Sequence, residues 1–269
     1  MEVFIINSFT SEKFKGNPTA VCLTDTHLNT DTASFLAKDF NFPVTAFVEI
    51  GGEDQNTFPI RYFTPTQEIP ACGHATLASV KAVADKFSID AFSFKTVENI
   101  LLHTQIRDNV ITMTYPKYLL KDYSMSNAML QSMKITEYRS AGICTELEAI
   151  FIELDDPALL RSIQPDFAKL VASNDKIIEV VITSLSDDNN YDFILRSFCP
   201  WIGIDEDPVT GSVHAVLAGF WKTRLNKTNL KAYQASQRGG EVFVTALPDK
   251  VQIGGKATLV SMREMLLDR

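Results

Sequence analysis

Cys72, Gly73 and His74 stand together in the stretch Pro70-Ala71-Cys72-Gly73-His74-Ala75-Thr76-Leu77-Ala78. A thiol and an imidazole two residues apart, opening an apolar run of small residues, suit proton transfer. The imidazole titrates near neutral pH, and a thiol at a helix start has a favoured thiolate. A second set follows in Asp205-Glu206-Asp207-Pro208-Val209-Thr210-Gly211-Ser212-Val213-His214. Asp207 places a carboxylate just ahead of a second expected helix start, and Ser212 is the positional counterpart of His74. A helix N-terminus leaves unpaired N–H groups and carries partial positive charge, so it receives a carboxylate without needing Lys or Arg. Gly73 and Gly211 lack a Cβ and let the backbone approach a ligand. Two such starts facing each other across a cleft would cradle a small anionic metabolite. The plainer alternatives are that Asp207 and Thr210 cap a helix and that His74 is a satisfied buried histidine.

The elements that position these residues follow from the hydrophobic pattern. Strands are expected at 3–6 and 20–23, separated by the turn 15–18. A helix is expected over 30–41, with Ala33, Leu36, Ala37 and Phe40 on one face. Strands at 44–50 and 59–63 are split by the polar loop Gly-Gly-Glu-Asp-Gln-Asn. The helix after Cys72 runs to about Phe87, and short strands fill 92–115. Residues 116–130 turn polar and helical, as a linker or domain boundary does. The pattern then restarts, with strands at 149–154, 177–184 and 191–198, a second small-residue helix after Gly211, and strands near Tyr233, at 242–246 and at 251–254. The segment 257–267 could return to the first domain.

The two halves echo each other. Arg61-Tyr62-Phe63-Thr64-Pro65 precedes the first helix, and Arg196-Ser197-Phe198-Cys199-Pro200 precedes the second. In each, Arg-x-Phe-x-Pro leads through an acid-bearing loop to a Gly-polar pair and an apolar helix, which points to an internal repeat. Both helices are apolar nearly all round, so each is expected to be buried within a curved sheet.

The bulk properties narrow the function classes. The chain has 269 residues, 45% of them hydrophobic, and a net charge of −8, enough for one large domain or two ordinary ones. An acidic chain without a Lys/Arg cluster argues against nucleic acid as a partner, and no apolar run reaches membrane-spanning length. The opening Met-Glu-Val-Phe-Ile-Ile reads as a strand and not a leader, so the expected location is cytoplasmic. The four cysteines and four histidines show neither metal-ligand nor disulfide spacing; no metal is expected. Cys22, Cys144 and Cys199 read as small buried hydrophobes.

Four segments carry a resemblance: Gly-Asn-Pro-Thr-Ala-Val-Cys-Leu (16–23), 61–78, 203–218, and Gln-Ala-Ser-Gln-Arg-Gly-Gly (234–240). In order and along essentially the whole chain, they resemble the signature segments of the PhzF-like family, the phenazine-biosynthesis isomerase-like proteins, related in fold to diaminopimelate epimerase. The resemblance implies an α+β fold of two pseudo-symmetric domains, each a β-barrel-like, mostly antiparallel sheet wrapped around a central helix. The expected division is 1–117, with 257–269 returning to it, and 118–256. It also implies an active site in the interdomain cleft, cofactor-independent proton transfer on a small carboxylate-bearing metabolite, and a homodimer. Carried onto this chain, the catalytic positions are His74 and Asp207, with Cys72 beside them. Substrate contacts fall to Gly73, Gly211, Ser212, Thr210 and Asn17. Cys72 and Thr210 occupy the places of the related epimerase's two cysteines, and with only one thiol the two-cysteine mechanism is not supported.

One departure stands out. The family usually reads Ser-Glu-Thr-Ala-Phe where this chain reads Pro43-Val44-Thr45-Ala46-Phe47, so a hydrocarbon replaces the family's main acid/base. Glu49 should face away from Val44's side of a strand, and Glu68 lies in the approach loop; neither is a convincing replacement. The leading expectation is an isomerase. The alternatives are a small-molecule binder on the same scaffold, motivated by Val44, and thiol chemistry at Cys72.

Overall fold

A computed structural model describes residues 1–52 and 56–266. Part of the expected loop after Ile50 (53–55) and the end of the expected terminal segment (Leu267) lie outside the described residues. The chain begins with β1 (Glu2–Ser8), β2 (Asn17–Thr24), α1 (Thr30–Phe40), β3 (Val44–Glu49), β4 (Thr57–Phe63) and β5 (Glu68–Ile69). Then come α2 (Gly73–Phe87), β6 (Ala91–Lys95), β7 (Leu101–Arg107), β8 (Val110–Pro116), β9 (Lys121–Asp122) and α3 (Asn127–Met133). The second half continues with β10 (Ser140–Cys144), β11 (Ala149–Glu153), α4 (Pro157–Ser162), α5 (Phe167–Ala172), β12 (Glu179–Leu185) and β13 (Phe193–Phe198). It ends with α6 (His214–Leu225), β14 (Asn229–Gln234), β15 (Gly240–Ala246), β16 (Lys250–Gly255) and β17 (Ala257–Glu264).

Two compact units result: Met1–Thr114 with Gly254–Arg269, and Tyr115–Ile253. In the first, β17 and β2 flank β1 in antiparallel pairings. The β2–β3 pairing is parallel, β3–β4 antiparallel, β4–β6 parallel and β6–β7 antiparallel. The second unit repeats that alternation. β10–β11 is antiparallel, β11–β12 parallel, β12–β13 antiparallel, β13–β14 parallel and β14–β15 antiparallel. Each unit is thus a mixed sheet with few helices, and both run through the same order of joints.

The small-residue helices take the buried places. Every residue of α2 from His74 to Val80 is buried, and so are Ala82 and Val83; the helix packs on β1, β2, β3 and β17. In α6, His214 to Ala218 are buried and Trp221 stacks on Phe193 at 5.4 Å. Small side chains let strands come close, and dispersion between close-packed atoms then holds the layers. The polar-looking stretch near residue 125 is no linker. Met125, Met129 and Met133 are buried in the second unit's core with Ile152, Leu160 and Phe198, because the helical spacing of the methionines makes one apolar face. Asn41 ends α1 in the left-handed conformation (φ 53°) and its N–H bonds to Ala37, so the helix stops one residue before the expected end.

The Arg-x-Phe echo has a structural job. Arg61 lies over the Phe63 ring at 4.9 Å and makes paired bonds to Glu68 of 2.8 and 2.9 Å. Arg196 lies over Phe198 at 4.9 Å and binds Glu206 at 2.7 and 3.0 Å. Each guanidinium also donates to backbone carbonyls: Leu28 in the first unit, Leu160 and Ile163 in the second. A planar, five-donor side chain suits this mixed task.

Candidate active site

The first unit's cluster opens α2. Cys72 is its N-cap in extended conformation (φ −153°), and the thiol makes no capping hydrogen bond. Instead Sγ lies 3.4 Å from Nδ1 and 3.7 Å from Nε2 of His74. Cys72 and Gly73 are half-buried, while His74 is 8% exposed. The imidazole is drawn in because the helix enters the sheet at its first turn. Ser8, at the end of β1, donates to the His74 carbonyl at 2.6 Å. Thr76 donates to the Cys72 carbonyl at 2.7 Å and meets the Tyr62 hydroxyl at 2.6 Å.

Register places the neighbours. Ser8 is opposite Asn17, which is fully buried, and Thr19 is beside Val44 on the parallel strand. Because side chains alternate along strands, Ser8, Asn17, Thr19, Val44 and Tyr62 share the face that meets α2. Val44, 4% exposed, therefore brings a hydrocarbon to the helix-facing side. The two neighbouring glutamates are occupied elsewhere. Glu68 is held by Arg61, and Glu49 lies 3.6 Å from Nδ1 of His27.

The second unit's cluster is built differently. The second helix was expected to follow Gly211; it begins at His214, with Val213 as an uncapped N-cap. Residues 211–216 form a tighter turn, in which His214 N–H bonds to Gly211, Ala215 to Ser212 and Val216 to Val213. Gly211 is buried and Ser212 half-buried in this turn. Asp207 and Thr210 do not act as its caps. The Thr210 hydroxyl donates to the Asp207 carboxylate, and the Asp207 N–H donates to the Ser197 carbonyl at 3.0 Å. Asp207 is 9% exposed.

Gln234 holds this loop closed. Its Nε2 donates to the Asp207 carbonyl, and its Oε1 accepts from the Thr210 N–H, both at 2.8 Å. Ser236 donates to the Pro208 carbonyl at 2.6 Å. The segment 234–240 thus clamps the loop that carries Asp207. Residue-by-residue reading missed Gln234, Ser236 and Ser8, because an amide or hydroxyl in a strand announces no partner; the signature in 234–240 was the available signal.

Two buried groups behind this cluster also escaped sequence reasoning. His214 is fully buried, its Nδ1 lying 3.1 and 3.2 Å from the Thr210 and Gly211 carbonyls. Burial pulls its pKa down to about 4 against those carbonyls, so it is neutral and its Nδ1 donates. Glu179 opens β12, 7% exposed, and accepts from the Ser197 hydroxyl. Cys22, Cys144 and Cys199 are buried free thiols, and desolvation raises the pKa of each. Among the described residues no helix is long and apolar enough to cross a membrane.

The arrangement in each unit supplies protonatable groups at a backbone turn, suited to proton transfer near an anion. A family profile described as phenazine biosynthesis-like protein matches residues 6–263. An uncharacterized isomerase of Halalkalibacterium halodurans is 33% identical over 98% of both chains. The crystal structure of a PhzF-family phenazine biosynthesis protein of Enterococcus faecalis superposes with a TM-score of 0.90 at 32% identity, over 99% of both chains. A predicted epimerase of Pseudomonas aeruginosa shares the fold alone, with a TM-score of 0.75 at 16% identity and 99% of each chain covered. These are folds of the diaminopimelate epimerase type. The mixed two-unit architecture, the paired helix starts and the match along nearly the whole sequence place the chain in the PhzC-PhzF family of phenazine biosynthesis-like proteins.

Proposed function

We propose that the protein is a cofactor-independent isomerase that moves a proton on a small carboxylate-bearing metabolite. His74 and Asp207 give and take the proton, and Cys72 tunes or assists His74. Gly73, Thr210, Gly211, Ser212 and Asn17 are the substrate contacts. The observation that carries this reading is the Cys72–His74 contact of 3.4 Å at a helix start that the Cys72 thiol leaves uncapped. There an imidazole can exchange protons while the partial positive charge of the helix steadies an anion. The family resemblance supports a homodimer, which light scattering on the purified protein measures. The test of activity is incorporation of solvent deuterium into a panel of small unsaturated and hydroxy carboxylic acids, read by proton NMR. Exchange that survives undiminished in His74→Ala would remove His74 from the mechanism.

Val44 favours a second reading, a small-molecule binder on the isomerase scaffold, because a hydrocarbon faces the start of α2 where a carboxyl would serve. If deuterium exchange appears only after Val44→Glu, the wild-type protein is a binder; exchange by the wild type rejects that reading.

A further inference from the structure

The repeat allows the two units to be compared position by position. On β4, Arg61 pairs with Phe47 of β3; on β13, Arg196 pairs with Ile182 of β12. Three residues earlier on those inner strands stand Val44 and Glu179. The parallel joints agree, since Val44 lies beside Thr19 and Glu179 beside Ala149. The place that holds a hydrocarbon in the first unit therefore holds a carboxyl in the second. We propose that Glu179 is a positioning residue of the second unit's cluster, a buried carboxyl that holds Ser197 and, through the Ser197 carbonyl, the loop that carries Asp207.

The geometry is a closed cluster. The Ser197 hydroxyl donates to Glu179 Oε1, and the Ser197 carbonyl accepts from the Asp207 N–H at 3.0 Å. Ser197 also lies 3.5 Å from the Cys199 thiol. One serine thus touches both acidic residues, through its side chain and its backbone. Other charges on the packed elements are already engaged. Arg196 of β13 is bound by Glu206, and Arg161 of α4 by Asp187. Cys199 holds its proton because burial, Glu179 and Asp207 all raise its pKa. His214 of α6 is neutral above about pH 4.

The consequence is a buried carboxyl that keeps its proton up to near neutral pH while it holds Ser197. Burial first, offset by the Ser197 hydrogen bond and reinforced by Asp207, pushes Glu179 up to about 7. Below that pH Glu179 is neutral, and above it Glu179 brings a negative charge to Ser197, whose hydroxyl it accepts from. No bond is made or broken by Glu179; it exchanges a proton with solvent and acts on the loop of Asp207 through Ser197.

This inference rests on the role proposed for Asp207, but its test needs no substrate. Carbon-13 NMR of the side-chain carboxyls is followed from pH 3 to 9 in the wild type, Glu179→Gln and Asp207→Asn. The expected result is a Glu179 midpoint near neutral pH and a second inflection in the Asp207 signal at that pH. Glu179→Gln should erase that inflection, and Asp207→Asn should shift the Glu179 midpoint downward. A Glu179 midpoint below about 5, or an Asp207 curve unchanged in Glu179→Gln, overturns the proposal. Should Glu179→Gln not fold, the Asp207→Asn titration decides alone: an unmoved Glu179 midpoint overturns it. Absence of deuterium exchange on every acid, with the carboxyl coupling intact, rejects the isomerase reading and leaves this one standing.

Discussion

The first unit carries its protonatable side chains on the helix start itself, whereas the second carries them behind and before it. Cys72 and His74 belong to the first residues of a regular helix, and the strand facing them offers Val44. In the second unit Thr210, Gly211 and Ser212 form a tight turn, and the acids sit in the loop (Asp207) and on the strand (Glu179). The frames agree down to an arginine stacked on phenylalanine at 4.9 Å in both. What differs is the filling of equivalent places. Tyr62 and Thr76 join hydroxyl to hydroxyl in one unit; Ser197 and Glu179 join hydroxyl to carboxyl in the other. A duplicated frame can thus let one copy lose a buried acid while the other keeps one.

The comparison can be broken most forcefully at the helix starts. Replacing His74 by Ala should cost about 10²–10⁴-fold in deuterium exchange, the usual value of a positioned acid/base. Ser212→Ala, its positional counterpart, should cost no more than about tenfold, because a hydroxyl there can orient but not titrate near neutral pH. Equal losses in steady-state exchange would erase the division of labour between the two units.

Stability against pH separates the two buried titratable groups. Glu179 rises from 4.5 to about 7 on folding. The folded state keeps that proton longer, so the group's contribution is full below pH 4.5 and is lost as pH rises to about 7. His214 falls from 6.5 to about 4. Its contribution is full above pH 6.5 and is lost as pH falls to about 4. At about 1.4 kcal/mol per pH unit, each window amounts to about 3 kcal/mol. The two slopes oppose each other between pH 4.5 and 6.5. Urea unfolding should show Glu179→Gln weakening toward acid and His214→Asn weakening toward neutral pH. Parallel pH profiles for both variants would refute the opposition.

The two arginines sharpen the comparison further. Arg196→Met strands Glu206 and the carbonyls of Leu160 and Ile163, while Arg61→Met strands Glu68 and the carbonyl of Leu28. Losses of about 3 and about 2 kcal/mol are expected in that order, read from urea midpoints. The smallest effect, about 1 kcal/mol, is expected for Tyr62→Phe, which removes the hydroxyl of one buried bond to Thr76.

Much of the frame was legible because it repeats. The Arg-x-Phe segments, the apolar helices and the Gly at each helix start recur in order, and their physical meaning is burial and close approach. Asp207 and Thr210 were legible as residues, but not the clamp that Gln234 puts on them, since its bonds cross from strand to loop. The start of the second helix was misplaced by the echo: Gly211 looks like Gly73, yet the backbone tightens there before the regular helix begins. Glu179 was invisible for another reason. In Ile177-Ile178-Glu179-Val180-Val181 a charge merely interrupts an apolar run, and only strand register shows that it occupies the counterpart of Val44.

The pairing of β17 with β1 sets an order of assembly. Glu2 lies opposite Glu264, so β1 gains its outer neighbour only after the whole second unit has been made. The second unit is continuous from Tyr115 to Ile253 and can close while synthesis is still under way. The unit begun first is therefore finished last. Until then β1 shows an open edge to the cell, the kind of edge that recruits stray strands. A chain cut short before β17 should leave the ribosome with one sound unit and one adhesive one.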